Sequence, residues 1–538
     1  MIPQQTVPVR PGRVHEPVLR QGTVEAAITN RWTRLLVPSF SDLFFLATLA
    51  WLFMGTYGWS GLLADGDVGW HIRTGEFILD HGSVPHQDLY SYSKPGAPWY
   101  AWEWLADVMD AALFRAFGLK GVVLVAGVLI AFFATTLMRR IMRRGVHMFV
   151  AILVALAGVG SASMHFLARP HVFTLVFLSI SMWMLETDRD GKCASRRLWW
   201  LVPLTLLWTN LHGGFLVLIA ILGLAALGSA AEAWTGDGNF APSIHYGALT
   251  VCCGAVSLVN PYGWGLHQHV VEYLRSDWIR TVVQEFHSPS FRDEGMLQFE
   301  VLLFTGLAAA GSLMRRGRVV EGLWILYFAY LSLSSVRHVP VFVAVTIPLI
   351  AGEIGGWWSA WTTGRAKNSV PGILAAIGAD SAAGFQRTSL WPAVAIAALV
   401  VINDPIKWPT DFPKELFPVE IVRKYEAQIV HSRLFTTDQW ADYLIFRNPR
   451  QQKVFIDGRS DFYGPSVGDE YLQVLTGAWQ WRRVMEKHKF DLALVPVNQP
   501  IAQLLKQSPD WRVAVDDGKH ILLVPRAASV LTTGKSLP

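Results

Sequence analysis

The string Asp65-Gly-Asp-Val-Gly-Trp-His-Ile-Arg73 places two carboxylates, an imidazole and a guanidinium side by side, directly after the first long apolar stretch. A carboxylate held beside hydrocarbon loses hydration and becomes more basic, so Asp67 or Asp65 could accept the proton of a hydroxyl nucleophile. Asp-x-Asp is a common string, and a plain turn competes with this chemistry: Asp65 and Asp67 could close Asx turns with Gly66 and Gly69. Cations recur beside later apolar stretches, as Arg169 with His171, His212 beside Asn210, and Arg337 with His338. Ionisable groups cost about 2.5–3.5 kcal/mol each at mid-bilayer, less near its edges. Such a set asks for an anionic partner, and arginine grips phosphate bidentately; taken singly, each residue is equally a snorkelling or helix-capping group.

Three further stretches carry polar groups. Trp99-Tyr-Ala-Trp-Glu-Trp104 sets Glu103 among aromatics. Asn260-Pro-Tyr-Gly-Trp-Gly-Leu-His-Gln-His269, followed by Glu272, Glu285 and His287, reads as a re-entry loop with an interfacial helix. Its Trp, Tyr and His also suit a sugar face or a lipid headgroup. Asp457-Gly-Arg-Ser-Asp461 follows an expected strand, a place where α/β sheets carry ligands, although Asp-Gly is also a frequent strand exit.

The elements that must position these groups are mostly membrane helices. The chain has 538 residues, 52% of them hydrophobic and only 16% charged, where a soluble chain has about a quarter charged. That deficit excludes an ordinary soluble enzyme, and 29 Phe and 24 Trp exclude a disordered chain. Apolar stretches of spanning length are expected at 42–60, 120–138, 146–164, 170–186, 198–211, 214–233, 244–260, 298–314, 319–335, 339–356 and 389–403, about eleven helices. The net charge of +5 is spread over short loops, which marks orientation and not a nucleic-acid partner. Arg10, Arg13, Arg20, Arg31 and Arg34, the run 139–144, the loop 189–197 and the loop 315–318 all fall on one side, which is therefore cytoplasmic. No cleavable signal peptide is apparent ahead of the first span. Cys193, Cys252 and Cys253 support neither a disulfide framework nor a zinc site.

The expected division is a cytoplasmic tail 1–40, a transmembrane portion 41–403 and an outer α/β domain 404–538. Within the outer loop 61–119, Leu105–Phe114 has the spacing of an interfacial helix. In the outer domain, 453–457, 491–496, 511–515 and 521–524 read as strands, the last two as a hairpin, and 471–488 as a helix.

An inward N-terminus, a long acidic first outer loop with an interfacial helix, many further spans and an outer C-terminal domain together resemble the GT-C superfamily of membrane glycosyltransferases. The fold expected is thus mainly α, a polytopic GT-C-like bundle with an extramembrane α/β domain. The resemblance implies sugar transfer from a polyprenyl-phosphate-type lipid carrier to an envelope glycan, lipid or protein on the outer face of a bacterial inner membrane, with inversion. It assigns the base to Asp67, with Asp65 beside it; the chemistry of the residues themselves suggests substrate binding by His71, Arg73, Glu103, Arg169, His171, Asn210, His212, Arg337 and His338. No cofactor is required; Asp65 and Asp67 could hold a divalent metal, though two carboxylates underfill its shell. The paired acidic residues of the protein-mannosylating branch are absent here, as is a Trp-Trp-Asp motif after residue 404. Two other readings compete: a flippase for a lipid-linked glycan, which predicts polar breaks at the bilayer midplane, and a non-catalytic envelope assembly protein.

Overall fold

The computed structural model describes residues 35–526 apart from 237, 294, 367, 382–388 and 404–405; the arginines of the expected cytoplasmic tail lie outside the described residues. Every one of the eleven expected spans falls on a helix. Five of these, Leu119–Met142, Met148–His165, Phe215–Thr235, Met296–Arg315 and Val336–Thr362, are long and apolar enough to cross a membrane unaided. Phe40–Met54, His171–Arg189, Leu201–Leu211, Ala241–Val256, Val319–Ser334 and Trp391–Val401 account for the rest, and an additional short helix runs Val370–Ser381. The first helix starts on a capping box in which Ser39 Oγ accepts from the Asp42 amide and Asp42 accepts from the Ser39 amide. The architecture is a mainly α, polytopic helical bundle with a small C-terminal sheet.

Charges inside the bundle are paired. Arg140, 1% exposed, donates to Glu186 at 2.7 Å and to the carbonyl of Ala344. Arg189 sits between Glu232 and Glu321 at 2.8 and 3.1 Å. A buried charge in low dielectric is tolerated only with such partners.

The outer loop holds two helices where one was expected. Trp104–Phe117 is the helix anticipated over 105–114; Val68–His81, read as loop from the sequence, is a second helix packed against it. Its amphipathic spacing was obscured by Gly69 and Gly75, weak helix formers kept because a neighbouring backbone passes close by. At Gly69 a methyl group would stand 2.6 Å from the carbonyl oxygen of Asp442. Gly69 therefore serves close approach to the C-terminal portion, and Gly75 close approach to the helix Trp104–Phe117 at Asp107.

In the C-terminal portion, β1 (Leu434–Thr436), β2 (Leu492–Pro496), β3 (Trp511–Asp516) and β4 (His520–Pro525) form one sheet in the order β1-β2-β4-β3. β1 and β2 are parallel; β3 and β4 make the expected hairpin, with an irregularity between Val513 and Val515. The expected strand 453–457 does not join this sheet. Its backbone pairs instead with the outer loop: Tyr92 N donates to Val454 O at 2.9 Å and Val454 N to Tyr90 O at 3.0 Å. The expected helix 471–488 is two helices, Ser460–Leu475 and Trp481–His488, because Gly477 at φ 66° ends the first. Trp70, Tyr90 and Trp99 of the outer loop share an apolar core with Phe435, Ile456 and Phe462 of the C-terminal portion.

Arg459 rivets this junction. It donates to Asp457 at 2.6 and 2.8 Å and to Asp88 of the outer loop at 2.8 Å, and its guanidinium lies 4.5 Å from the ring centre of Trp99. All three charged residues are buried. Replacing Arg459 by Leu leaves two buried carboxylates uncompensated, a loss of about 3–5 kcal/mol. Denaturant unfolding followed by tryptophan fluorescence should register that loss; an unchanged midpoint would mean that the junction is held by the aromatic contacts alone.

Candidate active site

Asp67 immediately precedes the helix Val68–His81 and is 5% exposed. Its backbone N–H donates to Asp65 Oδ1 at 2.9 Å, so the Asx turn read from the sequence is present. The side chain does something else. Asp67 Oδ2 lies 2.7 Å from Arg169 Nη2, while Asp65 Oδ2 takes Nη1 of the same guanidinium at 2.7 Å and Glu285 approaches it at 3.3 Å. One arginine thus bridges three carboxylates from two separate segments.

Asp67 Oδ1 is buried without a hydrogen-bond donor, and so is Asp442 Oδ2 on the helix Asp438–Arg447. Both face the Cα of Gly458, where a methyl group would lie 2.0 Å from Asp67 Oδ1 and 2.8 Å from Asp442 Oδ2. Two carboxylate oxygens bond only when one carries a proton. Burial first, then Asp67 and Asp457 nearby, pushes Asp442 well above the carboxylate range, which makes it the proton holder. Asp67 is itself pushed up to about 7, by burial above all, with Asp65 and Glu285 adding and Arg169 opposing.

The cavity onto which Asp67 opens has a volume of about 250 Å³ and is lined also by Glu103, Arg169, His171, His212, Arg337 and His338. Six of the residues singled out from the sequence, together with Asp67, therefore surround one space. Arg337, on the turn Val336–His338, donates to the Tyr273 hydroxyl at 3.2 Å and stacks 4.5 Å from the ring centre of Phe286. Among the described residues no carboxylate lies within ion-pair distance of it. Arg169 is spent on carboxylates, and Arg337 is the cavity arginine left for an outside anion.

Glu103 forms a second acidic centre. Burial pushes it up to about 8 against the pull of Arg169, so at neutral pH it is mostly a protonated acid. His212 Nδ1 accepts from the Gly214 amide at 2.9 Å, which leaves the proton on Nε2, 3.4 Å from Glu103 Oε1. His71 lies behind this layer, 1% exposed, with Nδ1 2.6 Å from Asp107 Oδ1 and Nε2 3.5 Å from Glu103. It supports Glu103 and does not line the cavity.

Two expected binding residues point elsewhere. Arg73 donates to the Phe446 carbonyl at 2.5 and 2.7 Å and to Glu76 at 2.6 Å, tying the outer loop to the C-terminal portion. Asn210 accepts from Trp104 Nε1 at 2.9 Å and donates to the Val259 carbonyl at 3.0 Å, locking the interfacial helix to the bundle. In their place come Glu285, Tyr273 and the stretch Gly458–Asp461, which line the cavity. Asp461 is held by His269 at 2.8 Å. Glu285 and Asp461 stood in strings already noted for their polarity; Asp442 gave only the weak signal of a carboxylate on the apolar face of a short helix.

One oxygen of each member of the acidic pair that could hold a divalent metal is already engaged by Arg169. The Arg169 guanidinium occupies the space between Asp65 and Asp67, and no group of three or more His, Cys, Asp or Glu with a metal-holding arrangement exists among the described residues.

No protein-family model matches the chain, and no curated protein matches it in sequence. In structure it superposes on the archaeal oligosaccharyltransferase AglB from Archaeoglobus fulgidus, in complex with an inhibitory peptide and a dolichol-phosphate. The TM-score is 0.53 at 12% identity, over 87% of this chain and 69% of that one. The likeness is one of fold. ArnT from Cupriavidus metallidurans also aligns, bound to undecaprenyl phosphate at TM-score 0.48 and 14% identity over 91% and 98% of the two chains. Its apo form aligns at 0.46 and 12% over 89% and 97%. The helical bundle here carries its cavity at the end where the loop after the first helix, the turn at Arg337 and the C-terminal portion meet.

The electrostatics can be read directly. Isotope-edited infrared titration of the Asp67 carboxyl should give a midpoint near 7, and Arg169→Gln should move it upward, since Arg169 favours the charged form. A wild-type midpoint at about 4 would mean a hydrated, ordinary carboxylate.

Proposed function

We propose that this protein is a membrane glycosyltransferase that moves a sugar from a polyprenyl-phosphate-type lipid carrier to an acceptor hydroxyl on the outer face of the membrane. One observation carries this reading. A buried carboxylate, Asp67, with one oxygen on Arg169 and the other facing Asp442, lines the same cavity as Arg337, an arginine with no carboxylate within ion-pair distance among the described residues. Proton acceptor and phosphate receiver are the two groups that displacement of a sugar phosphate requires. The dolichol-phosphate in the complex of AglB, which shares the fold, supports a lipid phosphate as the leaving group.

In this scheme the acceptor oxygen attacks the anomeric carbon as the bond from that carbon to the phosphate oxygen breaks. Asp67 takes the hydroxyl proton, and the phosphate leaves with its charge against Arg337 and the neighbouring His171 and His338. A single displacement inverts the anomeric centre. Glu103, protonated near neutral pH, donates to a sugar or phosphate oxygen, and Arg169 keeps Asp67 oriented and ionisable. Trp70, Trp99 and Trp102 line the cavity and exclude water that would compete as acceptor. The orientation drawn from the basic loops puts this site outside the cytoplasmic membrane of a bacterium, with an envelope glycan, lipid or protein as acceptor.

In proteoliposomes supplied with polyprenyl-phosphate sugars, Asp67→Asn should lower transfer by about a hundredfold or more while leaving donor binding intact. The base must be ionised, so the wild-type rate should rise with pH through about 7; near-normal transfer by Asp67→Asn removes this residue from catalysis. Because Arg169 supplies the cation between the two carboxylates, transfer should continue in the presence of a strong chelator. Loss of activity that added magnesium or manganese restores would point to a metal instead.

A further inference from the structure

The helices that meet at the Asp67 cavity converge on a second cavity at their other ends. His171–Arg189 begins at the first and ends at the second, and Val339–Thr362 reaches both, through Pro340 and Gly352. The second cavity measures about 560 Å³, and six cations and two carboxylates line it. It lies on the side that the basic loops mark as cytoplasmic.

The cations differ in how far they are neutralised. Arg189 is held by Glu232 and Glu321, Arg316 by Glu353, and Arg318 by Glu321 and Asp190. Arg143 has no carboxylate partner among the described residues; it donates to Thr187 Oγ1 at 3.0 Å and stacks 4.5 Å from the Trp183 ring centre. Arg144 reaches only Glu186, at 3.5 Å, and that carboxylate already accepts from Arg140 at 2.7 Å. Arg144 Nε is buried with no acceptor. Lys192 shares Asp190 with Arg318. The surplus positive charge is therefore carried by Arg143, Arg144 and Lys192. Gly352 makes room for it: a methyl group there would stand 3.3 Å from Arg144 Cδ. Leu313 and Leu349 supply the apolar part of the wall.

Guanidinium groups held by a hydroxyl, a ring or a shared carboxylate, with donors left over, suit a phosphate, and basic recesses between membrane helices bind anionic headgroups. We propose that this cavity binds a phosphate group, that of an anionic phospholipid entering from the adjoining leaflet, and so clamps the three basic loops together. The site is independent of the transferase reading, since no residue is shared between the two cavities.

The test uses the full-length protein in phosphatidylcholine nanodiscs, alone, with phosphatidylglycerol, or with inorganic phosphate at matched ionic strength, and follows thermal unfolding by tryptophan fluorescence. Phosphatidylglycerol should raise the wild-type midpoint by ~4 °C, and Arg143→Gln with Arg144→Gln should remove at least half of that gain. Lys192→Gln, on an exposed side chain that the fold does not need, should also diminish it and decides the matter if the double variant does not fold. A gain with inorganic phosphate as well supports the site and admits a soluble phosphate as its ligand; a gain with the lipid alone identifies the headgroup. The proposal is overturned if neither raises the midpoint, or if the variants respond as the wild type does.

Discussion

Taking a carboxylate out of water demands a counter-charge, and one end of the helical bundle is organised around meeting that demand for Asp67. Arg169 bridges Asp65, Asp67 and Glu285, which come from the start of the first outer loop and from the loop before the helix Met296–Arg315. A guanidinium presents its donors in a fixed plane, so binding three carboxylates at once fixes the separation of the segments that carry them. Burial raises the basicity of Asp67 while Arg169 keeps its ionised form within reach. The same interaction thus holds the loops and tunes the group.

The C-terminal portion belongs to this site and is not an appendage. Its helix Asp438–Arg447 lies against Gly66 and Gly69, where a methyl group would stand 2.3 Å from the Gln439 carbonyl oxygen and 2.6 Å from that of Asp442. Gly458 lies where the buried oxygens of Asp67 and Asp442 meet. Arg459, Arg73 and the backbone pairing of Tyr90 and Tyr92 with Val454 bind the two portions together. Glycine at these positions allows backbone to approach backbone closely enough to shut water away from a carboxylate.

The positive groups in the cavity divide their work. From their spacing in the chain, Arg169 and Arg337 look equivalent, each beside a histidine at the start of a span. In the fold one is saturated by carboxylates and the other rests on Tyr273 and Phe286 with its charge available. Cation–π contact orients a guanidinium without neutralising it, which leaves Arg337 able to receive an anion.

The linear chain by itself determined the helical bundle, the helix in the acidic loop after the first span, the hairpin β3–β4 and the identity of many of the charged groups around the cavity. These depend on hydropathy over a span length, on period and on the high cost of charge at membrane depth, all of which act locally. Only the tertiary structure decided that Arg73 and Asn210 brace the junctions, that His71 backs Glu103, that 453–457 pairs with the outer loop, and that Glu285, Asp442 and Gly458–Asp461 complete the site. Those facts arise where segments far apart in the chain come within hydrogen-bonding distance. Which carboxylate is buried, and which arginine is already paired, is a property of that meeting and has no trace in composition or spacing.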